Sequence, residues 1–587
     1  MRRAMSASKT RRSAIQAERR GTAGPNTGSC PSCVAGLSRL IVPWSEQGAA
    51  HMSIDVEAKA AEILDVGDRR FRRDDYEARM DFFAQELEKL DPNARAALFD
   101  EILEQDSGAP QSWLTVKRLN NLVGEGRITS QERDAIFDAF GAAYVNGDIE
   151  LSDALQFTGM FQSGVANDMG LQPQSVDRLN VLLDTLTGSN SPNSSAFLEK
   201  FAADVLSQRV FSDGQQIYNS WEQSAYAGVL LNALEQSGGT AAVDSVMSQL
   251  SDGQRSELRD AVAAGGGIFH VSPYFKDSGL RDPMVILIDA TSQHGSEAEV
   301  LELVQYVNAN SSGNILENHF FDSDNKPIPQ RAEALSELFL THSDTILDSL
   351  TIADPAQTPG STNDRSTVVG SNLAALSNLV RLTGLNPDNP QAAEVMARIG
   401  DFTSDNIRLG NMPEGTDVNG DGLVDGKDIA AIDAGNGRAA MIGAVMQDAV
   451  SSGYADLRED QAAREAFLGF IIDVAFSAIP AGGKLAGDAI SERVSDALGG
   501  LSEGTRKQIA ESLSSIPEEL LTNAQGGLTD TAKQAIIDAL PDDYAYLEDI
   551  KLESNTFIED SILSASDRDY QITESMSDYR DYIDRSR

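Results

Sequence analysis

Apolar residues recur at intervals of three and four along most of the chain, and alternating apolar–polar runs are rare. This spacing places the apolar side chains on one face of a helix, so it predicts an all-α fold. Helix–turn–helix stretches that begin near Leu179, Tyr226 and Leu373 are similar to one another but irregularly spaced. The irregular spacing favours packed helical hairpins in a bundle over a regular solenoid.

Several predicted helices share one starting pattern, in which an apolar residue precedes a Ser, Thr or Asp. The pattern occurs at residues 90–92, 250–252, 501–503 and 528–530. A side-chain oxygen at this position caps the helix by accepting a hydrogen bond from a free backbone amide, and the preceding Leu packs on the first turns. The last two copies belong to a duplication, since GGLSEGTRKQIAESL from Gly499 resembles GGLTDTAKQAIIDAL from Gly526.

The pattern divides the chain into eight segments. In chain order, we expect a basic extension (1–51), a helical domain (52–170), a helical hairpin domain (171–350), a linker (351–371), a helical hairpin (372–415), an acidic loop (416–434), a second helical domain that contains an apolar hairpin and the duplication (435–541), and an acidic, tyrosine-rich tail (542–587).

The charge of the chain is strongly negative, with 90 acidic against 47 basic side chains. A field of this sign repels phosphate backbones, so we expect no nucleic-acid binding by the main body. It attracts cations, including divalent ones. Solubility is the simplest reason for the charge, and adaptation to high salt is the alternative, because lysine is scarce and aromatic residues are few.

The first 51 residues differ from the rest in charge, carrying eight Lys/Arg and two Glu. They hold both cysteines, in the sequence Cys30-Pro-Ser-Cys33, which is compatible with a redox pair or half of a zinc site. No second cysteine pair completes a zinc site. The apolar stretch that follows is interrupted by Arg39, so it does not make a secretory signal. We expect translation to start at Met52 and the protein to be exported without a recognisable signal peptide; a cytoplasmic location stays open.

The most apolar stretch, Ala466 to Ile479, is shorter than a membrane span and contains Asp473. A buried core helix is the simplest interpretation. The alternative is a membrane-contacting hairpin over residues 466–490.

One twelve-residue stretch, DVNGDGLVDGKD from Asp417 to Asp428, concentrates oxygen donors. Side-chain oxygens fall at positions one, three, five, nine and twelve, a glycine at position six permits a sharp turn, and position seven offers its carbonyl. Hard oxygen donors in this number favour calcium over zinc, and a flexible cage disfavours magnesium. The alternative is a surface turn rich in Asp, Asn and Gly that binds no ion.

The stretch resembles the loops of EF-hands, and more closely those of dockerins, in which Asp takes the last position. By that resemblance the calcium ligands are the following: Asp417, Asn419, Asp421, the Leu423 carbonyl, Asp425 and Asp428. We also expect Val424 at position eight to point inward and the exiting helix to be cut short at Gly435.

A dockerin carries a second loop nearby, and the absence of one here weakens a scaffold-binding interpretation. Two fragments around Gly126 and Gly147 match the second half of the loop but are short of its early ligands, with Val123 and Tyr144 at position three. They form either a vestigial, metal-free pair whose Ile128 and Ile149 meet across a small ribbon, or two ordinary turns that end helices at glycine.

Catalytic signatures are weak. The chain has five histidines and contains neither an HExxH nor a GxSxG motif. His319 and His342 both lie near carboxylates, and they could form an acid–base pair only if the fold brought them together.

These observations lead to one preferred function and three alternatives. We expect a calcium-binding, mainly helical bacterial protein that is exported and non-enzymatic, in which calcium stabilises a module that binds a protein partner. The alternatives are a translocated effector or toxin whose residues 466–490 contact a membrane, a dockerin-like scaffold-binding protein, and an unrecognised hydrolase. The sequence leaves the oligomeric state open.

Overall fold

The apolar spacing of the sequence corresponds to helices in the structure, a computed structural model. It describes residues 55–65, isolated positions between 79 and 105, and, with short gaps, 116–158, 194–264, 280–351, 365–476, 487–540 and 569–586. Of the described residues 81% are helical, so the predicted all-α character is confirmed. Cys30 and Cys33 lie outside the described residues. Residues Ile54–Arg587 form one compact unit, and the domain boundaries predicted within it stay predictions.

The first half of the described chain contains eleven helices and one short ribbon. The helices are α1 (Val56–Asp65), α2 (Val116–Gly124), α3 (Ser130–Asn146), α4 (Leu151–Thr158), α5 (Ser194–Gln208), α6 (Ser220–Met247), α7 (Asp252–Ala264), α8 (Pro283–His294), α9 (Glu297–Ala309), α10 (Pro329–Thr341) and α11 (Ser343–Leu350). The ribbon pairs β1 (Val210–Ser212) with β2 (Gln215–Gln216) in antiparallel fashion, Val210 opposite Gln216. Helix α6 is kinked at Gly239, whose φ is 67°, where the sequence predicts a turn between two helices.

The second half contains the longest helix of the described chain. Its helices are α12 (Arg365–Thr383), α13 (Ala392–Gly410), α14 (Gly426–Glu459), α15 (Gln461–Phe476), α16 (Gly487–Ala497), α17 (Glu503–Ser514), α18 (Asp530–Ile537) and α19 (Asp569–Ser586). Helix α12 begins inside the predicted linker, so residues 365–371 are helical, and residues 352–364 lie outside the described part.

The predicted helix caps are present in both copies of the duplication. Ser502 accepts a hydrogen bond from the Thr505 amide at 3.1 Å, and Thr529 accepts one from the Ala532 amide at 3.3 Å. These bonds satisfy amides that would otherwise lack a partner at the starts of α17 and α18. The local sequence pattern therefore predicts where these helices begin.

The apolar segment of α15 is buried within the helical body. Its side chains at Phe467, Phe470 and Ile471 are shielded from solvent, and α15 packs on α13 and α18. The one acid in this segment, Asp473, forms an ion pair of 2.5 Å with Lys533 of α18. None of the helices in the described part of the chain has the length and apolar character that a membrane crossing requires.

The C-terminal helix α19 also packs against the body, although the sequence of the tail is polar. Met576, Tyr579 and Ile583 lie on one face and are buried, and that face contacts α12 and α14. Spacings of three and four residues place these side chains on one stripe of the helix. The described part of the tail is therefore a docked helix.

Candidate metal centre

The acidic loop connects α13, which ends at Gly410, to α14, which begins at Gly426. The last three residues of the twelve-residue stretch, Gly426 to Asp428, form the first turn of α14. The two helices that carry the loop ends pack against each other. The loop is therefore held at both ends by the helical body.

The first half of the loop is shaped by the carboxylate of Asp417. Its Oδ1 accepts a hydrogen bond from the Gly420 amide and its Oδ2 accepts one from the Gly422 amide, both at 2.8 Å. Gly422 has a φ of 82°, a conformation that costs a residue with a Cβ about 1–2 kcal/mol. The predicted sharp turn at position six is therefore present.

In the middle of the loop, side-chain oxygens again accept hydrogen bonds from backbone amides, here from the amide two residues ahead. Asn419 Oδ1 accepts from the Asp421 amide, Asp421 Oδ1 from the Leu423 amide, and Asp425 Oδ1 from the Lys427 amide, at distances between 2.8 and 2.9 Å. Each side chain thus orders the backbone two residues ahead of it. Asn419, Asp421 and Asp425 are exposed, so they stay within reach of a cation from solvent.

The buried carboxylate of Asp428 bonds to backbone amides at both ends of the loop. It is 1% exposed, and its Oδ2 accepts from the Asp425 amide at 2.8 Å, while its Oδ1 accepts from the amides of Val418 at 2.9 Å and Asn419 at 3.3 Å. These backbone amides, led by that of Asp425, hold the pKa of the Asp428 carboxyl below its usual value. One carboxylate therefore joins the start of the loop to its end.

All six predicted ligands lie in one loop, but their oxygen atoms do not surround a common site. Among the described residues, no group of three or more His, Cys, Asp or Glu side chains is arranged to hold a metal ion. The donor chemistry still suits a hard cation, because each carboxylate or amide oxygen that accepts one amide hydrogen keeps a second lone pair. Cation binding at this loop would require the side chains to converge.

The expectation that Val424 points inward is wrong. Its side chain is 52% exposed, and that of the preceding Leu423 is 66% exposed. An apolar side chain at this position is buried only when another element covers it, and no element in the described part of the chain does so.

The expectation that Gly435 ends the exiting helix is also wrong, because α14 continues to Glu459. A Cβ on Gly435 would lie 2.7 Å from the Asn406 carbonyl oxygen and 2.9 Å from the Gly410 amide nitrogen. The side chain of Asn436 donates to the Gly410 carbonyl at 3.3 Å. The glycine therefore permits α13 and α14 to touch at the base of the loop.

The two half-matches are turns that end helices at glycine. Gly126 and Gly147 have φ values of 70° and 82°, and they follow α2 and α3 respectively. Ile128 and Ile149 are each 4% exposed. The described residues contain no β-bridge between these turns, so the structure favours the simpler of the two interpretations.

His319 and His342 are held at opposite ends of α10. The guanidinium of Arg331 donates to the His319 carbonyl near the start of the helix. At its other end, Nε2 of His342 lies 2.8 Å from the Ser292 carbonyl oxygen. Arg331 and His342 are eleven residues apart, which corresponds to roughly 16 Å along a helix. The described geometry does not assemble an acid–base pair from the two histidines.

A buried ion pair was not foreseen from the sequence. Arg331 donates through Nε to Asp282 at 2.6 Å and through Nη2 to the other carboxylate oxygen at 3.1 Å, and both side chains are 1% exposed. Asp282 also caps α8 by accepting from the Met284 amide. The sequence Arg-Asp-Pro at 281–283 signals the cap, but nothing local signals its partner 49 residues away.

Comparisons with known proteins found no relative of this chain. No protein-family model, no curated protein and no solved structure matches the chain.

Proposed function

We propose that residues 417–428 bind one calcium ion, which stabilises the junction of α13 and α14. The chain would act as a non-enzymatic interaction protein outside the cytoplasm, where millimolar calcium fills a weak site. The proposal rests on one observation: five side chains of the loop already order its backbone by accepting hydrogen bonds from its amides.

The charge of the loop supplies the reason for a cation. Four aspartates and one lysine give residues 417–428 a formal charge of −3. Holding like charges in twelve residues opposes the folded conformation, and a divalent cation offsets this repulsion. Asp417, Asp421 and Asp425 keep lone pairs that accept no hydrogen bond from the loop, so these three side chains would converge on the ion.

The expected affinity is modest, because the described chain offers this loop no second loop to organise it. We expect a dissociation constant of about 10⁻⁵ to 10⁻³ M, between the weakest sensor sites and extracellular sites. Free calcium at about 1 mM would stabilise the folded chain by about 0.4 kcal/mol for a constant of about 10⁻³ M and by about 2.7 kcal/mol for one of about 10⁻⁵ M. The melting temperature of the chain should therefore rise with calcium.

Isothermal titration calorimetry tests the proposal directly. We expect heat corresponding to about one calcium ion per chain, and its loss in the double variant Asp417→Ala, Asp421→Ala. The matched control is Asp401→Ala, Asp405→Ala, which removes the same charge from exposed positions of α13 and should leave the heat unchanged. Titration to several millimolar calcium without heat, and without a rise in melting temperature, would refute the proposal.

No described feature favours a membrane-active alternative. The segment that would contact a membrane includes α15, whose apolar side chains are already buried against α13 and α18. A charged substitution at Phe470 or Ile471 would therefore disrupt the core first and could not report on membrane contact.

A further inference from the structure

Three asparagines of the chain are each followed by a glycine: Asn146, Asn419 and Asn436. An Asn–Gly pair can modify itself, because a glycine has no Cβ to hinder the approach of its backbone nitrogen to the side-chain carbonyl carbon of the asparagine. The attack closes a succinimide ring and releases ammonia, and water then opens the ring to aspartate or isoaspartate. The three pairs have different surroundings, so the structure indicates which of them can react.

Two of the pairs are held by helices. Asn436 is buried within α14 and donates to the Gly410 carbonyl at 3.3 Å. In a helix each Cβ tilts toward the N-terminus, which turns the side chain away from the peptide that follows. Asn146, the last residue of α3, has the same tilt, and the Gly147 amide donates to the Tyr144 carbonyl at 3.0 Å. Because a carbonyl is a weak base, the Gly147 nitrogen keeps its proton.

The third pair, Asn419 and Gly420, lies exposed in the acidic loop. The Gly420 amide donates to Asp417 Oδ1 at 2.8 Å, which is within the distance that a base needs to take the proton of an attacking nitrogen. Asn419 Oδ1 accepts from the Asp421 amide at 2.9 Å. This bond bends the Asn419 side chain toward the peptide that follows it. The same amide would stabilise the negative oxygen that forms when the carbonyl carbon is attacked.

We propose that Asn419 is a self-modification site of the calcium-free loop. The Gly420 nitrogen attacks Asn419 Cγ, and its proton passes to Asp417. The bond from Cγ to Nδ2 breaks, and Nδ2 leaves as ammonia together with that proton. Water then adds to the succinimide: addition at Cγ gives aspartate, and addition at the main-chain carbonyl carbon gives isoaspartate. The net reaction consumes one water and releases one ammonia.

Both products alter the loop. Aspartate at position 419 adds a negative charge, whereas isoaspartate carries the main chain through Cγ and adds a backbone atom between Asp417 and Gly422. The added atom displaces the amides that Asp417 holds, so isoaspartate should weaken calcium binding. The inference rests on the proposed calcium binding in one respect: an ion that takes Asp417 and Asn419 as ligands removes the base and protects the pair. The site therefore limits how long a calcium-free chain stays able to bind calcium.

Peptide mapping of the full chain by mass spectrometry follows all three pairs in one experiment. The chain is incubated at neutral pH in EGTA, either folded or unfolded in guanidinium, and the unfolded chain should convert the three asparagines at similar rates. In the folded chain Asn419 should react at least as fast as when unfolded, while Asn146 and Asn436 should be slowed at least tenfold. Slower conversion of Asn419 on folding, or equal conversion of Asn146 in the folded chain, would overturn the inference.

Substitution of Asp417 tests the base. Asp417→Asn keeps an oxygen that can accept the Gly420 amide but removes the carboxylate, so conversion of Asn419 in EGTA should slow at least tenfold; a positioned base typically contributes about 100-fold or more. The matched control is Asp401→Asn, which removes the same charge from an exposed position of α13 and should leave the rate unchanged. Undiminished conversion in the Asp417→Asn variant, with its helical circular dichroism retained, would contradict the assignment.

Millimolar calcium separates this inference from the calcium proposal. Calcium should slow conversion of Asn419 at least tenfold and leave Asn146 unchanged, and the heat of calcium binding should fall as isoaspartate accumulates. Conversion of Asn419 in EGTA together with no calcium heat would refute the calcium proposal alone, and the modification site would stand. Calcium heat without slower conversion would overturn the inferred protection.

Discussion

The turns at Gly126 and Gly147 and the acidic loop at Gly422 share a backbone feature but are stabilised differently. In each, a glycine with positive φ is followed two residues later by a β-branched apolar residue. In the two turns that residue is Ile128 or Ile149, and it is buried; in the loop it is Val424, and it is exposed.

The difference lies in what orders each segment. At the positions that match Asn419, the two turns carry Val123, which has no side-chain oxygen, and Tyr144, whose hydroxyl donates to Asp204. Burial of an isoleucine stabilises those turns by about 1.5–3 kcal/mol each. The acidic loop buries no comparable apolar side chain at that position, and its backbone is ordered instead by amides that donate hydrogen bonds to carboxylates. The same local geometry can therefore be stabilised either by the core or by polar side chains that also attract a cation.

The largest expected difference between the two regions is the loss of stability when the apolar side chain is truncated to alanine. Ile149→Ala removes a buried side chain and should lower the free energy of unfolding by about 2–5 kcal/mol. Val424→Ala removes an exposed one and should change it by less than about 0.5 kcal/mol. Urea denaturation followed by circular dichroism measures both. Similar losses for the two variants would show that Val424 is covered in solution.

Alanine at a turn glycine should lower the free energy of unfolding by less than the Ile149→Ala change. Calcium should matter for the variant in the acidic loop and not for the variant in the turn. A Cβ at Gly147 or Gly422 meets no atom within 4 Å, so the cost of alanine is the left-handed backbone alone, about 1–2 kcal/mol. For Gly147→Ala that cost should be independent of calcium. For Gly422→Ala it should appear mainly as a weaker calcium affinity in calorimetry.

The smallest expected effect is that of Asp421→Asn on the stability of the chain, and it should change sign when calcium is added. Asp421→Asn keeps an oxygen that accepts the Leu423 amide but removes one negative charge. Without calcium the variant should be more stable than the unaltered chain by up to about 0.5 kcal/mol, because repulsion in the loop falls. With several millimolar calcium it should be less stable, since a ligand charge is lost. Thermal melts with calcium and with EGTA test this, and no crossover between them would contradict the proposed role of Asp421.

The sequence predicted features that depend on near neighbours. Ser502 and Thr529 cap their helices as expected, because a cap needs only its own side chain and an amide three residues ahead. The amide-binding pattern within the acidic loop is local in the same sense. The all-α character follows from apolar spacing that holds over whole helices.

Features that depend on distant contacts were missed or misjudged. Gly435 has the same sequence appearance whether it ends a helix or permits α13 to approach, and only the position of Gly410 decides between these. The inward direction of Val424 presupposed a covering element. The pairing of Asp282 with Arg331 depends on how α8 and α10 pack, which no local pattern specifies.

The contact between Gly410 and Gly435 has a mechanical consequence for helix α14. At 1.5 Å per residue its 34 residues span roughly 50 Å, with the acidic loop at one end. The glycine contact lies nine residues from that end, which leaves about 36 Å of helix on the far side of it. A tilt of α14 by about 5° about this contact would move the far end by roughly 3 Å, more than a packed core accommodates without rearrangement. Helices α12 and α19 pack against α14, so they would shift with such a tilt, and the proposed calcium ion would then affect the C-terminal half of the protein.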